Sequence, residues 1–63
     1  MIVGPFVKIE EMDEGSAFLV TYSRGEVHSH HAFGSLDRAQ GFAEGFIGKQ
    51  LAQITPTVWW ATA

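Results

Sequence analysis

Residues 35–52 read SLDRAQGFAEGFIGKQLA, and this stretch decides the fold class because its apolar side chains recur with helical spacing. The residues that share one helical face, at spacings of three and four, are Ala39, Phe42, Ala43, Phe46, Ile47 and Leu51. A helix with one apolar face must cover the apolar face of another element. The stretch therefore predicts an amphipathic helix that packs onto a sheet.

The flanking residues indicate where this helix begins and ends. Ser35 is a favourable N-cap, and Asp37 lies in the first turn, where a carboxylate complements the helix dipole. Pro56 disfavours helical geometry in the residue before it. We therefore expect a helix from Leu36 to about Ala52.

Short periodic segments surround the helix. Alternating apolar residues predict strands over residues 6–12 and 17–23, separated by a turn over residues 13–16. The dipeptide Arg24-Gly25 predicts a tight hairpin turn into a third strand over residues 26–33. Residues 57–62 predict a short last strand or an aromatic tail. We expect an α+β fold in the order β-β-β-α-β over a single domain, residues 1–63: a three-stranded antiparallel sheet, one amphipathic helix and a short C-terminal strand.

The composition excludes several classes of protein. With 63 residues, 46% of them hydrophobic, the chain has room for one core and buries only about 60% of the surface its unfolded form exposes. It has no cysteine, which excludes disulfide scaffolds and favours a cytoplasmic location. No apolar run is long enough to predict a membrane span. The four basic residues are scattered and the net charge is −3, so we expect no nucleic-acid partner.

A stripe of small residues predicts an interface on the helix. Gly41, Gly45, Gly48 and Ala52 fall on the side opposite the apolar face, and Arg38 lies beside them. Each glycine inside a helix costs about 1 kcal/mol relative to alanine, which indicates a compensating gain elsewhere. Small residues at this spacing allow a second helix to approach closely. We expect a symmetric homodimer through this stripe; the alternative is that the glycines are tolerated on a solvent-exposed side.

The two adjacent tryptophans point to opposite faces if residues 57–62 form a strand. We assign Val58 and Trp60 to the core and leave Trp59 outside. An exposed tryptophan is a frequent centre of protein interfaces, so Trp59 joins the predicted interface residues.

The histidines are the residues that could form a metal-binding or catalytic site. Glu26, His28 and His30 alternate on one face of the predicted third strand, while His31 shares the other face with Ser29. The first three could bind zinc, but alternation also makes them the ordinary polar face of a sheet. The pair Ser29 and His31 lacks an orienting acid and an oxyanion site. We expect no metal, no cofactor and no catalytic residue.

These features favour a small cytoplasmic protein-interaction module that acts as a homodimer and blocks or tethers another protein, rather than an enzyme that works in a single copy. We expect a compact inhibitor of a host protein, of the kind that viruses and mobile elements encode. The second hypothesis is a small-ligand binding protein with a pocket at the dimer interface lined by His28, His30 or Trp59. A small metal-dependent enzyme is the third.

Overall fold

The computed structural model describes residues 4–62, which form five strands and one α-helix. In chain order these are β1 (Phe6–Met12), β2 (Ala17–Arg24), β3 (Val27–Phe33), α1 (Leu36–Ile47), β4 (Ala52–Thr55) and β5 (Val58–Thr62). The predicted α+β class is confirmed, as is the run of three antiparallel strands followed by one helix. The connection between β1 and β2 is a short 3₁₀ turn, Asp13–Gly15, where a turn is predicted.

The sheet is larger than the predicted three-stranded one. Its five strands lie in the order β3-β2-β1-β5-β4, and all neighbours are antiparallel. The C-terminal segment forms a hairpin rather than one strand, and β5 pairs with β1 on the side away from β2. Alternation within residues 6–12 predicts a strand and its faces, but it does not say which strands flank it. The central position of β1 follows from the tertiary pairing alone.

The turn between β2 and β3 lies one residue later than predicted. Arg24 pairs with Val27, so the two-residue loop is Gly25 and Glu26. Gly25 has φ 64°, the backbone conformation that the first central position of a type II′ hairpin turn requires. Glu26 is therefore a turn residue, and the prediction that it begins the third strand is wrong.

The helix begins where the sequence predicts. Ser35 is extended, and its Oγ accepts a hydrogen bond from the Arg38 N–H at 3.3 Å. This bond satisfies one of the backbone donors that the first helical turn leaves unpaired.

The helix ends at Ile47, well before the predicted end at Ala52. Gly48 has φ 81° and its N–H donates to the Glu44 carbonyl oxygen at 2.8 Å, the usual left-handed glycine cap. Leu51, expected on the helical face, lies beyond the helix but still packs against the core. The apolar spacing in the sequence continues beyond Gly48 because Leu51, in the segment after the helix, also packs against the core.

The core lies between α1 and one face of the sheet. Its buried residues are Val7, Ile9, Phe18, Val20, Ala39, Ala43, Trp59 and Ala61. The two helical members are alanines, whose small side chains allow the helix to approach the sheet closely. Within residues 4–62 no second helix covers the other face of the sheet.

Candidate functional site

The face of the sheet opposite α1 is covered by no α-helix within residues 4–62. We call it the open face; its central residues, set by the strand registers, are Phe6, Lys8, Glu10, Leu19, Thr21, Val58 and Trp60. Side chains of neighbouring strands lie about 5 Å apart in such rows. The open face therefore presents closely spaced side chains from three hydrogen-bonded strands, β2, β1 and β5.

Trp60 is the most exposed aromatic residue on the open face. It lies opposite Lys8 on β1, and 39% of its surface is exposed. Its ring is 6.0 Å from the ring of Phe6 at an angle of 42°. This separation is typical of interacting aromatic pairs, so the Phe6 ring supports the indole at the surface.

The prediction for the two tryptophans is wrong in its assignment. Trp59 lies opposite Ile9, whose side chain is fully buried, and only 8% of Trp59 is exposed. The Trp59 ring packs against Phe18 in an edge-on arrangement at 6.4 Å. Val58 and Trp60 share the open face, so the exposed tryptophan is Trp60 and not Trp59.

Charges on and near the open face are unevenly distributed. Glu10 lies between Leu19 and Val58, one row from Lys8. Beyond Glu10 the chain continues into the turn that contains Asp13 and Glu14, both exposed. One end of the open face is therefore acidic, and its middle combines apolar side chains with a single Lys8.

The histidines do not form a metal site with Glu26. His28 and His30 lie on the open face, opposite Ser23 and Thr21, whereas Glu26 belongs to the preceding turn. No group of three His, Cys, Asp or Glu side chains that could hold a metal occurs among residues 4–62. His28 and His30 share the open face as their alternation predicts, whereas Glu26 lies in the turn because the turn is shifted by one residue.

His31 and Ser29 share the helix side of the sheet, as predicted, but at its outer strand. Both are next to β2 residues of the same face, and the His31 ring packs edge-on against Phe33 at 4.8 Å. The imidazole is thus part of an aromatic contact at the sheet edge.

The predicted helical stripe is only partly present. Gly41 and Gly45 lie in α1 and are exposed, and a Cβ at either position would meet nothing within 4 Å. Gly48 is the helix cap, which explains that glycine by backbone conformation alone. Ala52 is the first residue of β4 and does not belong to the helix. The prediction of a continuous stripe is wrong because the helix ends at Ile47, before Gly48 and Ala52.

Arg38, also placed at the interface, lies in the first turn of α1 and is exposed. Its backbone N–H donates a hydrogen bond to Ser35 Oγ at the N-cap of the helix.

The side of the helix toward β3 carries an aromatic cluster. Tyr22 lies 5.2 Å from Phe42 and 5.1 Å from Phe46, and Arg24 lies over the Phe46 ring at 4.9 Å.

The open face was not recognised from the sequence, although the signal is present. Phe6 and Trp60 are apolar residues at positions that alternate with the buried Val7 and Trp59. Their common face becomes evident only when the β1 and β5 registers are known.

Within the part of the chain that the structure describes, no helix is both long and apolar enough to cross a membrane.

No protein-family model, no curated protein and no solved structure matches this chain.

Proposed function

We propose that the chain is a small protein-interaction module that binds another protein on its open face and thereby blocks or tethers it. The single observation that supports this function best is the position of Trp60, an aromatic residue exposed on a sheet face that no helix covers in residues 4–62. Tryptophan is among the residues that most often dominate protein interfaces.

The surroundings of Trp60 have the composition of an interface centre. Phe6 supports the indole ring from the neighbouring strand, and Val58 and Leu19 extend the apolar area across the row of Glu10. Such a centre, flanked by polar groups, resembles the apolar core and polar rim of protein interfaces.

The charge pattern indicates the chemistry of the partner. Glu10, Asp13 and Glu14 make one end of the open face acidic, and the whole chain has a net charge of −3. Complementary charge increases the rate of association and suppresses wrong partners. We therefore propose a partner with an apolar patch bordered by lysine or arginine.

The geometry favours this function over a small-ligand pocket. Trp59 lies in the core, on the opposite side of the sheet from His28 and His30. On the open face, one row across four strands contains His30, Thr21, Lys8 and Trp60. His30 and Trp60 lie three strand spacings apart in this row, about 14 Å at the usual spacing of about 4.8 Å. These side chains do not converge on one small molecule.

The experiment is affinity capture from the native cell with three tagged proteins: wild type, Trp60→Ala and Ile54→Ala. Ile54 is an exposed apolar residue on β4 and serves as the matched control. We expect wild type and Ile54→Ala to retain the same stoichiometric partner, and Trp60→Ala to lose it while its circular dichroism spectrum stays native. Equal capture by all three proteins would refute the proposed role of Trp60.

A further inference from the structure

The outer strand β3 has an edge without the usual protection against pairing. In the described sheet β3 pairs only with β2, and their register runs unbroken from Arg24↔Val27 to Phe18↔Phe33. Its seven residues, VHSHHAF, include no proline and no Lys, Arg, Asp or Glu. Proteins commonly protect such edges with charges, proline, bulges or very short strands.

The opposite edge of the same sheet shows that protection. β4 has only four residues, Ala52–Thr55, and its register with β5 is irregular between Gln53 and Thr55. A short, irregular strand offers few aligned backbone groups to a neighbour. The contrast marks β3 as the edge that is suited to pairing.

The hairpin geometry indicates which backbone groups of β3 point away from β2. A turn of this kind is closed by a hydrogen bond between its flanking residues, which are Arg24 and Val27. Hydrogen-bonded and non-hydrogen-bonded pairs alternate along an antiparallel ladder. The groups of His28, His30 and Ala32 therefore point outward.

We propose that β3 pairs antiparallel with β3 of a second copy, about a two-fold axis at His30. In this register His30 of one copy lies opposite His30 of the second copy, and His28 lies opposite Ala32 of the second copy. The outward backbone groups of the two strands can therefore form hydrogen bonds with each other. A homodimer is also expected from the sequence; this proposal places its interface on β3 rather than on the helix, and it goes beyond the proposed function, which depends on Trp60.

Apolar residues beside the edge support a second copy as the occupant. Val27 is 66% exposed on the helix side of β3. In the proposed register Val27 lies opposite Phe33 of the second copy. Phe33 in turn packs against Phe42 at 5.5 Å, and Phe42 is itself 38% exposed. Because the interface is symmetric, dimerisation would cover this apolar surface on both copies, whereas a single copy exposes it to solvent.

The charges at the two ends of β3 are compatible with this pairing. Arg24 and Glu26 flank its beginning, and Asp37 and Arg38 follow its end. Antiparallel pairing brings the beginning of one strand to the end of the other. Each group has one positive and one negative charge, so their meeting creates no net repulsion.

The dimer has a consequence for the open face. A two-fold axis perpendicular to the sheet joins two five-stranded sheets into one of ten strands, with both open faces on the same side. A partner with two binding patches could then be held by both copies at once, which raises its effective affinity.

Cross-linking tests the interface directly because the chain has no native cysteine. His30→Cys places one thiol at the two-fold axis, where facing Cα atoms about 5.5 Å apart fall within the range of a disulfide. Gly45→Cys and Gln53→Cys are matched controls on the helix and on the β4 edge. We expect His30→Cys to form a covalent dimer under mild oxidation at least tenfold faster than either control. Faster cross-linking of Gly45→Cys or Gln53→Cys would overturn the proposal.

Sedimentation of unmodified and charge variants provides the second measurement. His30→Lys puts two like charges at the axis, whereas Gln53→Lys adds the same charge on β4. We expect wild type and Gln53→Lys to be dimers and His30→Lys to be a folded monomer. A wild type that stays monomeric at millimolar concentration, or a dimeric His30→Lys, would overturn the proposal. Partner capture by a monomeric His30→Lys variant separates this inference from the proposed function, which depends on Trp60.

Discussion

Ile9 and Trp59 lie directly opposite each other on β1 and β5, so both side chains enter the core beneath α1. The same register places the next residue, Trp60, opposite Lys8 on the open face. Two adjacent tryptophans therefore have different tasks, one in stability and one at the surface.

Replacement of each tryptophan by alanine should separate these tasks. Trp59→Ala removes a buried ring and should lower the free energy of unfolding by about 3–5 kcal/mol, enough to unfold most of a domain this small. Trp60→Ala loses chiefly the contact with Phe6 and should cost about 1 kcal/mol. Urea unfolding followed by circular dichroism measures the loss for Trp60→Ala, and the circular dichroism spectrum without urea shows whether Trp59→Ala still folds. Equal losses for the two variants would contradict the assignment of Trp59 to the core.

Gly41→Ala and Gly45→Ala should each stabilise the protein by about 0.5–1 kcal/mol. Both glycines lie inside α1, and an added Cβ meets nothing within 4 Å, so the gain in helix propensity has no steric cost. Gly48→Ala is the contrasting control, since its φ of 81° disfavours any residue with a Cβ. Thermal melts should rise for the first two variants and fall for the third. If Gly45→Ala weakens dimerisation, the helix rather than β3 is the interface.

The N-cap of α1 should contribute measurably to stability. Ser35→Ala removes the acceptor for the Arg38 N–H and should cost about 1 kcal/mol. Ser35→Asp keeps an acceptor and should retain most of the wild-type stability. Urea midpoints of the three proteins test this, and a Ser35→Ala midpoint equal to that of wild type would show that the cap is energetically unimportant.

Treatment with a metal chelator should leave the stability of the protein unchanged. His28 and His30 share a face of β3 without Glu26, so a chelator should not shift the melting temperature. Replacing both histidines with threonine, which suits a strand, should change stability by less than about 0.5 kcal/mol. Stoichiometric metal in elemental analysis, together with a melt that chelator lowers, would contradict this expectation.

Local patterns were sufficient to predict most of the elements. The alternation of Val7 and Ile9 identified β1 and its buried face, and Ser35 marked the beginning of the helix. These features depend on residues close together in the chain. The spacing does not predict where the helix ends, because Gly48 fits the spacing of the small-residue stripe and also serves as the helix cap, a common role for a glycine near a helix end.

By itself, the sequence determined the alternation of side chains along the strands, the helical periodicity and the N-cap, because each arises from neighbours along the chain. Only the tertiary structure decided that β5 joins β1 and therefore that Trp59 is buried and Trp60 exposed. It also decided that β3 is an outer strand with an open edge. The physical reason is that side chains on a strand alternate between its two faces, and this alternation does not say which face is buried. Long-range packing decides which face lies in the core and which strands are its neighbours.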